Sequence, residues 1–509
     1  MRSIIGFFIT GLLLSSCSAT KTAGSSKKDD GQITFKVIQL NDVYEIAPLG
    51  GGLYGGLSRV AHVRDSLLAI QPNTYTVMAG DFLNPSLIGT LKLDGERIYG
   101  AQMIEVLNAI GVDLLTFGNH EFDIGQEALQ KRLNESNSTW ISANVRQNTE
   151  NGTSPFAKVR DIGILPLKDT YTLPIKDSDG TMINVGFFSV TIDSNPQDFV
   201  SYLDPFTASE KAVSVLDPTT EVIIGLTHLK VSDDVKLANR HKAIDFIMGG
   251  HEHNSMLVPT DNAIVAKADA NAKTIYIHTF TYNKSTQNLS VDSHLLPIDN
   301  TITSQPMTKA IVDKWSAILR TKIMEVIDDP DAVIYQADTP LDGTDSASRG
   351  IQTNLGGIIT AAMAKAYSNE VAGAIVNGGS IRIDDLLSGP VNSVDIFRVL
   401  PFGGSALKVS MTGSLLKEVL DYGWSSAGTG AYLQHYNLTK DAQGAWQVGG
   451  QPIDPEKVYE LAVSDFLLKG FDIPFLTPDN PGVLGIYEPK ANEMAYDIRK
   501  AVIDYLKNK

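Results

Sequence analysis

Short apolar runs at residues 33–40, 74–78, 112–117, 183–190, 222–226 and 246–248 punctuate the first half of the chain, each followed by a polar or glycine-containing loop. Runs this short, without clean alternation, predict strands buried on both faces with helices between them. Residues 57–70 and 100–110 carry helix-like apolar spacing, so the pattern defines an α/β layered domain. Residues 306–327 read as one long amphipathic helix, with Ile311, Trp315, Ile318, Leu319 and Ile323 near one face. After Asp328, Asp329 and Pro330 the strand and helix pattern starts afresh. The helix is therefore expected to link two domains, residues 32–305 before it and 328–509 after it.

The chemistry gathers in the loops just past the strands. The first run leads into Asn41, Asp42, Val43, Tyr44 and Glu45, and the second into Ala79, Gly80 and Asp81. The third leads into Gly118, Asn119, His120 and Glu121, with Asp123 just beyond. Run 222–226 ends at Thr227 and His228, and run 246–248 at Gly249, Gly250, His251, Glu252 and His253. Five strand ends would thus deliver carboxylates, an amide and imidazoles to one edge of the sheet, where α/β proteins build their sites. Oxygen and nitrogen ligands without thiolate suit a pair of divalent ions, Mn²⁺, Zn²⁺, Fe²⁺, Mg²⁺ or Co²⁺. A carboxylate bridging two ions about 3.5–4 Å apart supports in-line displacement at phosphorus by a metal-activated hydroxide.

Composition narrows the function. A chain of 509 residues is too long for one core, and 43% apolar content excludes global disorder. With 42 Lys and Arg against 58 Asp and Glu, the net charge of −16 argues against binding a nucleic-acid polymer. A local cationic site can still take a small anion. The glycines at 50–52 and 55–56 lack the Gly-Lys-Ser/Thr ending of a phosphate loop and are expected to form a flexible loop. One cysteine, Cys17, rules out an internal disulfide and a thiolate metal cluster. It ends a stretch made of Arg2, an apolar run over 3–14 and small residues, the pattern of a secretory signal. Residues 17–31 have no large apolar side chain after the cysteine and read as a tether.

The ending Leu14-Ser15-Ser16-Cys17 resembles the bacterial lipoprotein lipobox. That resemblance implies removal of the signal peptide 1–16, lipidation at Cys17, and a membrane-anchored protein of the bacterial cell envelope, facing the periplasm or the cell surface. The strand-end motifs resemble those of the calcineurin-like metallophosphoesterases, and specifically the bacterial 5′-nucleotidase/UDP-sugar hydrolase family. The likeness implies a metallophosphoesterase β-sandwich flanked by helices, a linker helix, and a smaller α/β C-terminal substrate-binding domain. It implies a monomer that hydrolyses nucleoside 5′-monophosphates at two divalent ions. Asp42 would ligate the first metal, Asp81 would bridge, Asn119, His228 and His251 would hold the second, and His253 would return to the first. His120, oriented by Asp123, would stabilise the phosphoryl charge of the transition state.

The second half extends the likeness. Arg349, Gln352-Thr353-Asn354, Asn377-Gly378-Gly379-Ser380-Ile381-Arg382, Pro401-Phe402-Gly403-Gly404, Ser464-Asp465-Phe466-Leu467 and Gly470-Phe471-Asp472 keep the family's order. By that resemblance Phe402 and Phe466 would stack on the base, Asp472 would hold ribose, and Arg349, Asn377 and Arg382 would hold the polar portion of the nucleotide. Two departures stand out. Tyr44 occupies the place of a metal-binding histidine, so the first metal would keep Asp42, Asp81, His253 and water, or recruit a Tyr44 phenolate or Glu45. Phe471 replaces a glycine, which would reshape the base slot. The alternatives left open are a 2′,3′-cyclic nucleotide phosphodiesterase, a UDP-sugar pyrophosphatase, and a nucleotide-binding lipoprotein with weakened catalysis.

Overall fold

The structure, a computed structural model, describes residues 29–194 and 196–509. Cys17, the signal stretch and most of the tether lie outside the described residues. Two six-stranded sheets face each other in the first domain. The order in one is Asn288–Pro297, Thr274–Asn283, Gln32–Leu40, Thr74–Met78, Leu114–Leu115, Thr139–Trp140. In the other it is Thr170–Lys176, Met182–Phe188, Val222–Thr227, Phe246–Gly249, Ile264–Lys267, Met256–Pro259. Phe35, Val37 and Phe280 of the first sheet pack against Val185, Ile224 and Phe246 of the second, so the layer between the sheets is largely an apolar core.

Each sheet buries its outer face under helices. Leu57–Ile70, Ala101–Ile110 and Gln126–Glu135 cover the first, and Pro205–Leu216 and Val231–Arg240 cover the second. Strands with both faces covered lose their alternation: Val222–Thr227 and Phe246–Gly249 are buried at every position. The strand Gln32–Leu40 does alternate through its first half, where it pairs antiparallel with Thr274–Asn283.

The helix Pro306–Met324 starts as a helix should. Pro306 occupies its first turn, and the Gln305 side chain accepts from the Thr308 N–H. It ends at Met324, three residues before the expected 327, and the Val326 and Ile327 N–H groups share the Ile323 carbonyl in the closing turn. Its Trp315 belongs to the first core and its Ile323 to the second. The second core surrounds a five-stranded sheet ordered Leu433–Tyr436, Gly373–Asn377, Val458–Ser464, Ala406–Thr412, Val483–Tyr487. Helices Asn354–Lys365 and Ile498–Lys507 pack on one face and Gly413–Ser425 on the other. No helix among the described residues is long and apolar enough to cross a membrane.

Candidate metal centre and substrate pocket

Parallel register sets the site. Leu40 pairs with Met78 and Met78 with Leu115, so the loops carrying Asp42, Asp81 and Asn119 leave the first sheet side by side. Thr227 pairs with Gly249 in the second sheet, which aligns His228 with Gly250 and His251. The five strand ends therefore come from two sheets rather than one edge of one sheet, and the site sits where the two meet. Gln39 ties the sheets together beneath it, donating from Nε2 to the carbonyls of Gly249 and Ala266.

Asp42, Asp81 and His228 are fully buried, and each offers a ligand atom within 4.8 Å of the others. The His228 Nδ1 lies 2.8 Å from the Ala79 carbonyl, which can only accept, so the proton sits on Nδ1. The Nε2 lone pair then faces Asp81 Oδ2 at 3.1 Å, an acceptor against an acceptor that calls for a cation. Without a metal a proton plays that part: burial opposes a charged imidazole, yet Asp81 and Asp42 outweigh it and lift His228 to about 9, so Nε2–H donates to Asp81 until an ion displaces the proton. Fixing the ring through one nitrogen while the other points inward is how proteins orient a metal-ligating histidine. The donor set fits a divalent ion.

His253 is held likewise, with Nδ1 2.7 Å from the Asp384 carbonyl and Nε2 3.6 Å from Asp42 Oδ1. The ring of His251 lies 5.4 Å from that of His228, and burial together with His228 lowers its pKa to about 4, leaving it neutral. Its backbone N–H donates to both oxygens of Asp42. Asn119 is buried at the turn His120–Ile124 beside these groups. Asp42, Asp81 and His251 all adopt left-handed backbone, φ 53°, 56° and 84°. Such strain in non-glycine residues clusters at functional sites. Close approach also explains two glycines: a Cβ on Gly118 would collide with the Asp81 carboxylate, and one on Gly250 would sit 2.7 Å from His228 Nδ1.

His120 borders this cluster. Its backbone N–H donates to Asp81 Oδ1, and its Nδ1 donates to Asp123 Oδ2 at 2.8 Å. Burial works against its charge, but Asp81 and Asp123 prevail and raise the imidazole to about 9. Asp123 Oδ2 also accepts from Asn84 Nδ2 at 2.7 Å and, from the second domain, from an Arg382 amine at 3.3 Å.

The six residues expected to read substrate line one cavity of about 500 Å³: Arg349, Asn377, Arg382, Phe402, Phe466 and Asp472. Asn377 Nδ2 donates to Asp472 Oδ2 at 2.7 Å, and Arg349 pairs with Asp345 at 2.8 Å. Phe402 is 62% exposed, a surface ring rather than a core one. Phe471 lies against Phe466 with ring centroids 5.9 Å apart and is 74% exposed, so the residue that replaces a glycine adds aromatic surface beside the cavity.

Two further residues belong to the site, and the sequence marks neither as a candidate. Glu121 is fully buried and accepts from the N–H groups of Asp81, Phe82, Leu83 and Gly118, clamping two site loops together. Burial first, and then Asp81, push its carboxyl up to about 7. Its only signal in the sequence is its place in the Gly-Asn-His-Glu motif. Asp384 meets His253 from the second domain, and nothing local marks it. Tyr44 and Glu45 are the alternatives to water at the first metal. Burial, with Asp81 and Asp42 close by, holds the Tyr44 hydroxyl well above the ordinary phenol value, so Tyr44 is a neutral phenol here. Glu45 turns to Arg398, 3.5 Å away.

Residues 35–255 match the family described as calcineurin-like phosphoesterase, and residues 333–477 match the 5′-nucleotidase C-terminal domain. The chain belongs to the calcineurin-like phosphoesterases of 5′-nucleotidase type, and it is a hydrolase. It is 29% identical over 434 residues to the trifunctional nucleotide phosphoesterase protein YfkN of Bacillus subtilis (strain 168). That match covers 73% of this chain and 28% of the longer relative. It is 26% identical to human 5′-nucleotidase over 469 residues, 82% of this chain and 78% of that one. The solved 5′-nucleotidase precursor from Thermus thermophilus has the same fold, with a TM-score of 0.68 at 22% identity over 94% of this chain and 96% of that one.

Proposed function

We propose that this protein is a two-metal 5′-nucleotidase that releases phosphate from nucleoside 5′-monophosphates. In this reading it works outside the cytoplasm from a lipid anchor at Cys17. The observation that carries the proposal is Arg382. It lines the cavity that holds the two phenylalanines and Asp472, and its guanidinium reaches Asp123, the partner of His120. A molecule with an aromatic base at one end and a phosphate at the other matches that span.

Asp42, Asp81 and His253 would hold one ion, and Asp81, Asn119, His228 and His251 the other. Such ions supply Lewis acidity to the phosphoryl oxygens and a strong nucleophile at neutral pH. The rest falls to side chains. Phe402 and Phe466 offer faces for stacking, which in proteins contributes about 0.5–1.5 kcal/mol per aromatic pair beyond area burial. Asp472 accepts from the ribose hydroxyls. Arg382 and Arg349 offer planar forks that match phosphate oxygens. His120, protonated and pinned through Nδ1 by Asp123, presents Nε2–H to charge that grows on phosphorus-bound oxygen.

Purified protein with Mn²⁺, offered AMP, UDP-glucose and a 2′,3′-cyclic nucleotide, tests the proposal. With nucleotide products followed by chromatography, hydrolysis fastest for AMP, giving adenosine and phosphate, is expected. A preference for either other substrate would assign the diesterase or pyrophosphatase activity instead. AMP binding without turnover under any divalent metal would leave a binding lipoprotein.

A further inference from the structure

His253 carries its proton on Nδ1, because that nitrogen faces a backbone carbonyl. Three oxygens converge on its Nε2 lone pair: the Tyr44 hydroxyl at 3.0 Å, Asp384 Oδ2 at 3.3 Å and Asp42 Oδ1 at 3.6 Å. The Tyr44 hydroxyl can donate to that lone pair, but it brings no charge to balance the two carboxylates, so the cluster is one that a cation would complete. Nitrogen and oxygen ligands standing about 2.0–2.2 Å from a shared ion are separated by roughly 2.8–3.6 Å, and the two carboxylates lie 3.3 and 3.6 Å from the nitrogen.

We propose that Asp384, from the second domain, is a ligand of the first metal, replacing the one that Tyr44 fails to supply. The inference rests on the two-metal reading above and assigns a new residue to it. Glu45 is turned away to Arg398, 3.5 Å off, and the Tyr44 hydroxyl is taken up by His253 Nε2, whereas Asp384 Oδ2 is a carboxylate oxygen aimed at the same spot. The pose of Asp384 is built rather than incidental. Its backbone is left-handed, φ 45°. Three contacts hold it there: Oδ1 accepts from the Asp345 N–H at 2.6 Å, its carbonyl accepts from His253, and the adjacent Asp385 pairs with Lys273 of the first domain at 2.5 Å. A metal held this way is shared between the domains, so metal binding and domain arrangement are linked.

Mn²⁺ titration of the full chain, read by calorimetry and by electron paramagnetic resonance, tests it. The wild type is expected to take two ions that give a spin-coupled signal. Asp384→Asn keeps an Oδ1 for the Asp345 N–H but gives up the ion pair with His253, so the metal-free chain should still unfold cooperatively, with a somewhat lower midpoint, while one Mn²⁺ binds at least tenfold more weakly and the coupled signal is lost. Tyr44→His added to Asp384→Asn should restore both, because an imidazole at 44 makes Asp384 redundant. Two ions bound to Asp384→Asn with unchanged affinity would overturn the proposal. So would a weakening that Tyr44→His does not repair, or a single ion in the wild type, which would leave a proton on His253 as the positive charge. A wild type that takes no metal would overturn the two-metal reading itself, a result distinct from the others.

Discussion

His278 lies fully buried on the strand Thr274–Asn283, directly under the metal centre's scaffold. Gln39 must point its amide nitrogen at the Gly249 and Ala266 carbonyls, so its Oε1 accepts from His278 Nε2–H at 2.9 Å. Ser293 Oγ then donates to Nδ1 at 2.8 Å, and the neutral ring is satisfied on both sides. Burial pushes its pKa down to about 3. The folded value lies below the unfolded one, near 6.5, so the unfolded chain takes up this proton first and stability falls as pH drops. The contribution is complete above pH ~6.5 and is lost toward pH ~3, at up to about 1.4 kcal/mol per pH unit. Urea unfolding at pH 7, 6, 5 and 4 should show a shallower acid slope in His278→Gln than in wild type; parallel slopes would refute this. The contrast with the site residues shows what a sequence reveals at this scale. Asp42, Asp81, Asn119, His228 and His251 were legible because each comes directly after an apolar run. His278, Glu121 and Asp384 were not, because their roles come from groups that the fold brings in from distant segments.

Helices and strands were legible where burial is one-sided or total, and less so at their ends. Residues 57–70 and 74–78 match the observed helix and strand. The run 112–117 shrinks to a strand of Leu114–Leu115, because Gly118 N–H goes to Glu121 and the chain turns into the site. The antiparallel pair Thr274–Asn283 and Asn288–Pro297 is not marked by any apolar run: its outer strand is polar at alternate positions and partly exposed. Division into two sheets cannot be read from runs at all, since it depends on which strands pair. The linking helix shows what an element's apolar face does. Trp315 packs into the first core while its Nε1–H donates to Glu105 Oε2 at 2.7 Å, and Lys314 pairs with the same carboxylate at 2.6 Å. Trp315→Ala removes both the packing and the bond, and should destabilise the protein by about 3–5 kcal/mol. Trp315→Phe keeps most of the packing and should cost well under half of that. Equal losses in denaturant unfolding would show that the hydrogen bond, not the burial, anchors the helix.

At the scale of the whole molecule four contacts between the domains near the site are ionic, beside one apolar contact in which Leu87 of the first domain packs into the second core. Arg382 meets Asp123 at 3.3 Å, Arg398 meets Glu45 at 3.5 Å, Lys273 meets Asp385 at 2.5 Å and His253 meets Asp384 at 3.3 Å. A polar interface of this kind is what parts of a chain use when they must separate and rejoin, whereas an apolar one would be costly to open. Product must also leave a cavity whose walls include residues that touch the first domain, so rotation of the second domain on the linking helix is the expected route. Locking that seam tests it. The only cysteine in the sequence is Cys17, so a pair introduced by Lys273→Cys and Asp385→Cys can be joined across the domains by a short reducible thiol crosslinker that spans the reach of the lost lysine stem. The linked and released forms of one protein then differ only in that link, which cancels any harm done by the substitutions themselves. Linking should lower turnover of AMP at least tenfold, and reductant should restore it. Equal turnover in both forms would mean that substrate and product pass through a site whose domains stay together.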